Sequence, residues 1–547
     1  MSSQDSLLQQ ALTLHQSGDF VEAEKLYRLI LSNEPNNHGA LHLLGVLGAD
    51  IYQDFGMAIQ MIQKAISVEP NFNLYHQNLA IISKKAGRLD VAIEARKAEL
   101  KFDPKSTDIL NELGLLYSES ELTVQAINVY KKILKIDPNH KHSYNNLGLS
   151  HYTLYKTDLA YKNLKRAITI DPDFLDAYEN LGVVYMDDAK MDEAIETFEK
   201  LIAVDPDRAM SHWNLGIALL KDGQLGKGFA EYNWRWKAAL ESTGKSLDKP
   251  KPYSIPYWNQ EPLNGKKLLL TNEQGIGDEI LFLNVLIGLK IPYWALIIEC
   301  DNRIRKLLER AFPGVQTVSN GDTQKVEELQ PSVAYQKPTA DLFSWFRKDE
   351  ASFPKHEGFL KADEDLIEGF SKKYKKLWPN KILVGISWDT KGKLIANERR
   401  MDLSFFKNIA ALENVQLINL QYGDVDEVLT VFNERGGGDV HIDPSVDAFN
   451  DLDSFAAQIS ALDLVISIDN NTIHFAGALG VPTFAVLPSV PDWKWQWEKS
   501  ETCWYPSMKL FRRKKRFEAG DVQAAVEAEL KKVFHNEDTG LYKTSFQ

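Results

Sequence analysis

Cysteine is nearly absent. Cys300 and Cys503 are the two in 547 residues, too few for a disulfide framework, so the fold rests on packing. Positive charge is in deficit as well. The formal net charge of -13 excludes a nucleic-acid duplex or an anionic membrane surface as the main partner, because neutralising phosphates takes concentrated Lys and Arg. Long hydrophobic runs are also missing. The most apolar stretch, Ile280 to Cys300, is interrupted by Asn284, Lys290 and Pro292, which predicts a buried helix leading into a buried strand and no membrane span. Residues Met1 to Gln10 carry no charged-then-apolar leader, which makes the cytoplasm the expected location. What remains is ordinary globular composition, 44% hydrophobic and 25% charged, in a chain too long for one core.

Against that background one regularity stands out. Pro35, Pro70, Pro104, Pro138, Pro172 and Pro206 recur at spacings of 35, 34, 34, 34 and 34, and twelve positions before each stands Ala23, Ala58, Ala92, Ala126, Ala160 or Ala194. Leu-Gly steps at 44–45, 113–114, 147–148, 181–182 and 215–216, with Leu79-Ala80 as a variant, keep the same register. The pattern resembles the tetratricopeptide repeat. The resemblance implies six or seven helical hairpins over residues 1–236, stacked into a superhelix whose concave surface takes an extended peptide. Just before the Leu-Gly steps come Asn78, Glu112, Asn146, Asn180 and Asn214. An amide once per repeat can hold a peptide backbone, and the related eukaryotic protein O-GlcNAc transferases use such a ladder. Asn78, Asn146, Asn180 and Asn214 are therefore candidate peptide-binding residues, the alternative being hydrogen bonds within their own hairpins.

The repeat pattern ends after Gly216, with Gly228 where an alanine is expected, and residues 237–262 read as a connector. From Lys266 the pattern changes to short apolar runs alternating with helical segments: Lys266–Thr271, Trp294–Glu299, Lys381–Ser387, Val415–Leu420, Asp463–Ser467 and Thr483–Leu487. Such runs are strands buried on both faces of parallel α/β sheets. A polar, Lys-rich break around Ser371–Asn380 suggests two Rossmann-like halves, 263–375 and 376–547, facing a cleft. The expected fold class is thus α plus α/β, a repeat superhelix followed by two such halves.

Two strand-to-helix turns carry candidate chemistry. In Glu273-Gln274-Gly275-Ile276-Gly277-Asp278-Glu279 the glycines admit a ligand to the backbone and the helix start offers free N–H groups. The acidic pair would repel a diphosphate, yet Asp278 can take a proton from an acceptor hydroxyl; acidic residues in a first helical turn also simply complement the dipole. In the second turn, Leu464–Ile468 runs into Asp469-Asn470-Asn471-Thr472-Ile473-His474 and a helix of small residues, an arrangement that holds anionic ligands. Its bland reading is capping by Asp469 and Thr472 with His474 in the core.

These turns, with Val384-Gly385-Ile386-Ser387-Trp388, Leu420-Gln421-Tyr422-Gly423-Asp424, Pro491-Asp492-Trp493-Lys494-Trp495 and Trp504–Arg512, resemble the carboxyl-terminal domain of bacterial tetratricopeptide glycosyltransferases. That family includes flagellin glycosyltransferases and is distantly related to heptosyltransferases. The resemblance implies a GT-B fold, a nucleotide-sugar substrate, and neither metal nor other cofactor. It makes Asp278 the catalytic base and puts Arg399 at the donor phosphates. Gly275, Gly277, Trp388, Lys393, Gln421, Tyr422, Asp469, Asn470, Asn471, Thr472 and His474 are the other donor contacts. The chain departs from the family in the continuation Asp389–Lys393 and in Asn470, where heptosyltransferases often carry Thr. The expected activity is inverting transfer of a sugar to Ser or Thr of a protein recruited by the repeats, a flagellin-like acceptor in the first place. Alternatives are an inactive repeat scaffold or a transferase with a glycan acceptor, and the oligomeric state is left open. Three further signals have plain readings: Asp171-Pro172-Asp173 and Asp205-Pro206-Asp207 are turns and not metal sites, Arg512–Arg516 is a solvated face, and Trp493, Trp495 and Trp497 wall the cleft.

Overall fold

The computed structural model describes residues 3–243, 253–390 and 394–535. The chain divides into two compact units, Met1–Val184 and Tyr185–Gln547.

In the first unit helices come in pairs: Ser3–Ser17 with Phe20–Asn33, His38–Asp50 with Phe55–Val68, Asn73–Lys85 with Leu89–Glu99, Thr107–Glu119 with Thr123–Ile136, and Lys141–Thr153 with Thr157–Ile170. The sequence period has a steric cause. Ala23, Ala58, Ala92, Ala126 and Ala160, all on second helices, have no exposed surface, and the glycine of the facing helix leaves no room for a side chain. A Cβ on Gly45 would stand 2.9 Å from Ile62 Cγ1 and 3.0 Å from Ala58 O, and one on Gly148 would stand 2.6 Å from Leu164 Cγ. The prolines act as stops: Glu34 N–H still bonds to Ile30 O at 2.8 Å, and Pro35 then has no N–H to extend the helix. The two Asp-Pro-Asp sequences are turns, Asp171 Oδ1 accepting from Asp173 N–H at 3.0 Å and Asp205 Oδ1 from Asp207 N–H at 3.3 Å.

The second unit contains the helices Met191–Val204, Ala209–Lys221, Leu225–Tyr232 and Arg235–Thr243. Gly228 replaces the usual alanine because Leu220 lies against it in side chain and backbone: a Cβ there would stand 2.7 Å from Leu220 Cγ and 2.9 Å from Leu220 N, and one on Gly216 would lie 2.7 Å from Tyr232 N.

Two parallel sheets follow. The first has β1 (Lys267–Thr271), β2 (Leu296–Cys300), β3 (Gln316–Ser319) and β4 (Val333–Pro338) in the order β3-β2-β1-β4. Part of the expected connector joins it, Trp258 N–H donating to Gln336 O at 2.8 Å and Gln336 N–H to Pro256 O at 2.9 Å. The second has β5 (Ile382–Ser387), β6 (Val415–Asn419), β7 (Val440–His441), β8 (Leu464–Ile468), β9 (Thr483–Leu487) and β10 (Met508–Arg512) in the order β10-β9-β8-β5-β6-β7. Counted from β5 this is 3-2-1-4-5-6, the order of a doubly wound sheet, whose ligand crevice opens where the order reverses, between β5 and β8. One apolar core runs through both halves, taking in Leu268 and Leu270 of β1, Val465 of β8, and Trp495, Trp504 and Tyr505 beyond β9.

Three expectations need correction. The Ser371–Asn380 region is not a break, because Glu364–Leu377 is a helix, N-capped by Asp363 and burying Phe370 and Tyr374; its lysines are the outer face of an amphipathic element, and the expected 375/376 boundary falls inside it. Arg512–Arg516 is solvated only in part, at Lys514 and Lys515. Arg512 donates to Gln496 O at 2.8 Å, Arg513 to Glu398 O at 2.9 Å and Arg516 to Asp187 O at 3.1 Å, so these guanidiniums staple loops. Trp495 does not wall a cleft, being fully buried. The stretch Ile280–Cys300 resolves into the end of the helix Ile276–Leu283, two short 3-10 turns, Asn284–Leu286 and Tyr293–Ala295, and β2. Among the described residues no helix is long and apolar enough to cross a membrane.

Candidate active site

β1 ends at Thr271, and the chain turns through Gln274, held at φ 65° by its amide, which donates to Tyr232 Oη at 2.6 Å. Gly275 then caps the helix Ile276–Leu283 with extended backbone. Gly277 abuts the helix Asn471–Ala478 that follows β8, since a Cβ there would lie 2.8 Å from Asn471 Oδ1 and 2.9 Å from His474 Cδ2. The helix starts of the two sheets therefore meet without an intervening side chain, and the next residue, Asp278, lines a cavity of about 710 Å³. Arg399, Asp492, Trp493 and Lys494 of the second half line it too, with Trp213, Asn214, Ile217, Tyr232, Arg235 and Trp236 on the side of the preceding helices.

A chain of charges crosses this cavity. Asp278 Oδ1 lies 2.8 Å from Lys494 Nζ, Lys494 Nζ 3.1 Å from Asp492 Oδ2, Asp492 Oδ2 2.9 Å from Arg399 Nη2, and Arg399 Nε 3.2 Å from Asp469 Oδ2. The last pair is an ion pair without hydrogen-bond alignment, both atoms being otherwise unsatisfied. Burial opposes ionisation of Lys494, but Asp492, Asp278 and Asp469 outweigh it and push the ammonium's pKa up. Burial likewise opposes the Asp492 carboxylate, and Lys494 and Arg399 overcome it, holding that carboxyl far below its usual range. Asp469 has its pKa raised by burial against the pull of Arg399. Beneath the network His474 is neutral, its pKa depressed to about 3 by burial. Its Nδ1 lies 2.9 Å from Tyr505 Oη and its ring stacks on Trp495 at 5.4 Å between centroids.

A second buried network fixes the opposite wall. Arg235 Nε and Nη2 donate to both oxygens of Glu273 at 2.7 and 2.6 Å, and Nη2 also reaches Asp341 Oδ1 at 2.7 Å. Burial alone would lower the guanidinium's pKa, but Glu273 and Asp341 raise it, and the cation stands 4.5 Å over the Trp236 ring. The last helix of the repeat side is thereby tied to the residue that opens the first glycine turn.

The remaining candidates fall into separate roles. Asn470 is spent on structure: its Oδ1 accepts from Thr472 N–H and Ser467 Oγ, both at 3.0 Å, and its Nδ2 donates to Ser387 Oγ at 2.7 Å, closing the β5/β8 switch point. Gln421 Oε1 accepts from Ser387 Oγ, Trp388 N–H and Asp389 N–H at 2.9, 3.0 and 2.8 Å and so shapes the loop after β5. Gln421 and Tyr422 border a different cavity of about 620 Å³ with Asp424, Asp443 and Asp447. Trp388 is 5% exposed in the core of the second sheet and lines neither cavity, so its expected contact with a donor is not available there. Thr472 is buried, Asn471 is exposed at the helix start, and Lys393 lies outside the described residues. Lys494, Asp492, Arg235 and Glu273 carry no role in the sequence reading. The signal for Asp492 and Lys494 was Pro491–Trp495, noted for its pattern and not its charges; Glu273 stood in the first turn without a role, and nothing in the sequence marked Arg235.

In the first unit the asparagine ladder bonds from repeat to repeat. Burial lowers His42 to about 4, so its ring is neutral and Nε2 accepts from Asn78 Nδ2 at 2.8 Å. Asn146 donates to Asn111 Oδ1 at 3.4 Å and Asn180 to Asn145 Oδ1 at 2.8 Å. These contacts span 35 or 36 residues, beside one bond within a hairpin, Asn145 Nδ2 to Asn146 Oδ1 at 3.3 Å, and Asn78, Asn146 and Asn180 each have one donor already used. Asn214 lines the large cavity.

Residues 107–140 and 154–216 match the family described as tetratricopeptide repeat. Protein FlbA of Caulobacter vibrioides is 31% identical over 304 residues, 53% of this chain and 49% of FlbA, so the chain spans about half the length of the curated relative it matches. A tetratricopeptide repeat protein from Parabacteroides merdae overlays with a TM-score of 0.36 at 20% identity, covering 45% of this chain and 95% of its own. MamA from Desulfovibrio magneticus overlays at 0.28 and 18%, covering 32% and 98%. The chain thus carries tetratricopeptide repeats, a protein-interaction scaffold, ahead of parallel α/β sheets.

Proposed function

We propose that the chain is an inverting glycosyltransferase of the GT-B kind. It moves a sugar from a nucleotide-sugar donor to a Ser or Thr hydroxyl of a protein held by the repeats, in the cytoplasm, with a flagellin-like acceptor as the family-level favourite. The observation that carries the reading is the convergence of Asp278 and Arg399, from different sheets, on one cavity. In the reaction the acceptor oxygen attacks the anomeric carbon as the bond to the diphosphate oxygen breaks. Asp278 takes the hydroxyl proton, and Arg399 with Lys494 meets the charge that grows on the departing phosphate. A single displacement inverts the anomeric centre. The cavity is not a ready-made anion sink, because Lys494 and Arg399 already face Asp278, Asp492 and Asp469, so a diphosphate must draw these cations from their carboxylates. Binding and chemistry are coupled for that reason.

The test is transfer from a panel of UDP-, GDP-, ADP- and CMP-linked sugars to a protein acceptor, followed by mass spectrometry. Asp278→Asn should abolish transfer while nucleotide affinity stays within about threefold, since a lost general base costs 10²–10⁴-fold in rate. Unchanged turnover in that variant would remove Asp278 from its role, and absence of binding to every nucleotide would return the chain to the plain scaffold reading.

A further inference from the structure

We infer that Lys221, the last residue of the helix Ala209–Lys221, is a third cation for the donor's diphosphate, so that this helix of the repeat side is part of the donor site itself. The inference rests on the nucleotide-sugar reading of the cavity. Lys221 lines the same cavity as Asp278, Arg399 and Lys494. Its carbonyl accepts the Trp497 N–H at 2.6 Å, which ties the helix to the turn after β9 that carries Asp492 and Lys494. The Lys221 side chain is 9% exposed, and a charge so shielded is costly unless an anion compensates it. The compensation it has is slight. Its partner among the described residues is Asp187 Oδ1, 3.8 Å away, an ion pair too long for a hydrogen bond, on a carboxylate that is itself 31% exposed.

Five cations line the cavity among the described residues, and the other four are held more closely. Arg235 donates to Glu273 and Asp341 at 2.6–2.7 Å. Arg516 donates to Asp187 O at 3.1 Å and pairs with Glu398 Oε2 at 3.3 Å. Lys494 and Arg399 lie within 3.2 Å of the carboxylates of Asp278, Asp492 and Asp469. An entering diphosphate must draw Lys494 and Arg399 from those contacts, whereas Lys221 gives up only the loose one to Asp187. Lys221 also acts on the carboxylate that Arg399 and Lys494 share: burial opposes ionisation of Asp492, and Lys494, Arg399 and Lys221 together overcome it. A diphosphate drawn to Arg399 and Lys494 therefore meets a further positive charge that no carboxylate of the described residues holds at hydrogen-bond distance, and charge-assisted contacts with phosphate are strong. Removing this helix should then cost donor affinity, and not only recruitment of the acceptor.

The experiment compares the full-length wild type with Lys221→Met and Lys221→Arg by calorimetry, titrating inorganic pyrophosphate and then UDP, GDP and ADP. Lys221→Met should weaken pyrophosphate and the preferred nucleoside diphosphate by about 10–100-fold, and Lys221→Arg, which keeps the charge, should stay within about threefold of wild type. Because the pair with Asp187 is long and its carboxylate part-exposed, losing it should leave the fold intact. Should Lys221→Met fail to fold, Asp187→Asn decides: taking the competing carboxylate from Lys221 should tighten pyrophosphate by about 2–10-fold, and equal or weaker binding there overturns the inference. Wild-type affinity for pyrophosphate and nucleoside diphosphate in a folded Lys221→Met overturns it too, as does a raised KM for the protein acceptor alone, which would put Lys221 on the acceptor's path. Weakened pyrophosphate binding in Lys221→Met, with no transfer by the wild type from any nucleotide-sugar, leaves Lys221 as an anion contact and removes the glycosyltransferase reading. A wild type that transfers sugar while Lys221→Met binds as tightly as it does keeps that reading and removes the inference. A wild type that binds neither pyrophosphate nor any nucleoside diphosphate overturns both.

Discussion

Replacing Gly277 by Ala tests whether the two helix starts really meet. Two effects compete. Alanine is the better helix former by up to about 1 kcal/mol, and Gly277 is the second residue of its helix, with no left-handed backbone to forbid a side chain. Against this, the new methyl would stand 2.8 Å from Asn471 Oδ1 and 2.9 Å from His474 Cδ2. Asn471 is exposed and can swing aside. His474 cannot, being buried, bonded to Tyr505 and stacked on Trp495. Overpacking against a fixed neighbour costs about 1–3 kcal/mol, so the net loss should be about 1 kcal/mol, with the first-half helix pushed away from its partner. Urea unfolding followed by tryptophan fluorescence isolates the effect, because all 12 tryptophans lie between Trp213 and Trp504, in the second unit. Gly275→Ala is the internal control. Its methyl would meet only Asp278 Oδ2, at 4.0 Å, and stability should change by less than about 0.5 kcal/mol. The reasoning is refuted if Gly277→Ala matches wild type while Gly275→Ala is the destabilised variant.

Two other perturbations probe the buried charges. Arg235→Met strands Glu273 and Asp341, whose side chains are 2% and 12% exposed, and should cost about 3–5 kcal/mol in the same assay; adding Glu273→Gln should recover part of that, and no recovery would mean that the loss is packing and not charge. His474 concerns pH: its folded pKa of about 3 lies below its unfolded value, so between about pH 3 and 6.5 only the unfolded chain binds the proton and stability falls on acidification by up to about 1.4 kcal/mol per unit. His474→Gln should flatten the slope of unfolding free energy between pH 4 and 6, and an unaltered slope would place the acid sensitivity elsewhere.

The repeats were legible because their signal is local and redundant. A fully buried alanine and a glycine with a helix against its Cα recur every 34 or 35 residues, so each unit restates the same packing constraint. β1, β2, β5, β6, β8 and β9 were legible for a related reason, since they are buried along nearly their whole length and read as apolar runs. β3, β4, β7 and β10 are only partly buried, and a strand that alternates over four or five residues does not separate from a loop in sequence. Amphipathicity misled in the same way at Glu364–Leu377, whose outward lysines imitate a linker.

The site was legible only at its glycines. Asp278 stands in a turn whose spacing signals a ligand, and Arg399, the last residue of the helix Leu394–Arg399, entered only through the family resemblance, but what their side chains do is set by charges that arrive from elsewhere in the chain. Lys494 is 216 residues from Asp278 and Arg235 is 106 from Asp341, and no periodicity connects such pairs. Asn470 and Gln421, two of the expected donor contacts, spend their amides on the loops that frame the crevice, because an irregular turn needs side chains to satisfy its own polar groups. In both strand-to-helix turns the backbone is therefore held in place by polar side chains, and the charges beside it include Asp492 and Lys494 from the turn after β9. A variant series confined to the glycine turns would test the frame of the cavity, whereas Asp492, Lys494 and Arg399 test its affinity for an anion, and the two sets should separate into stability effects and effects on donor binding.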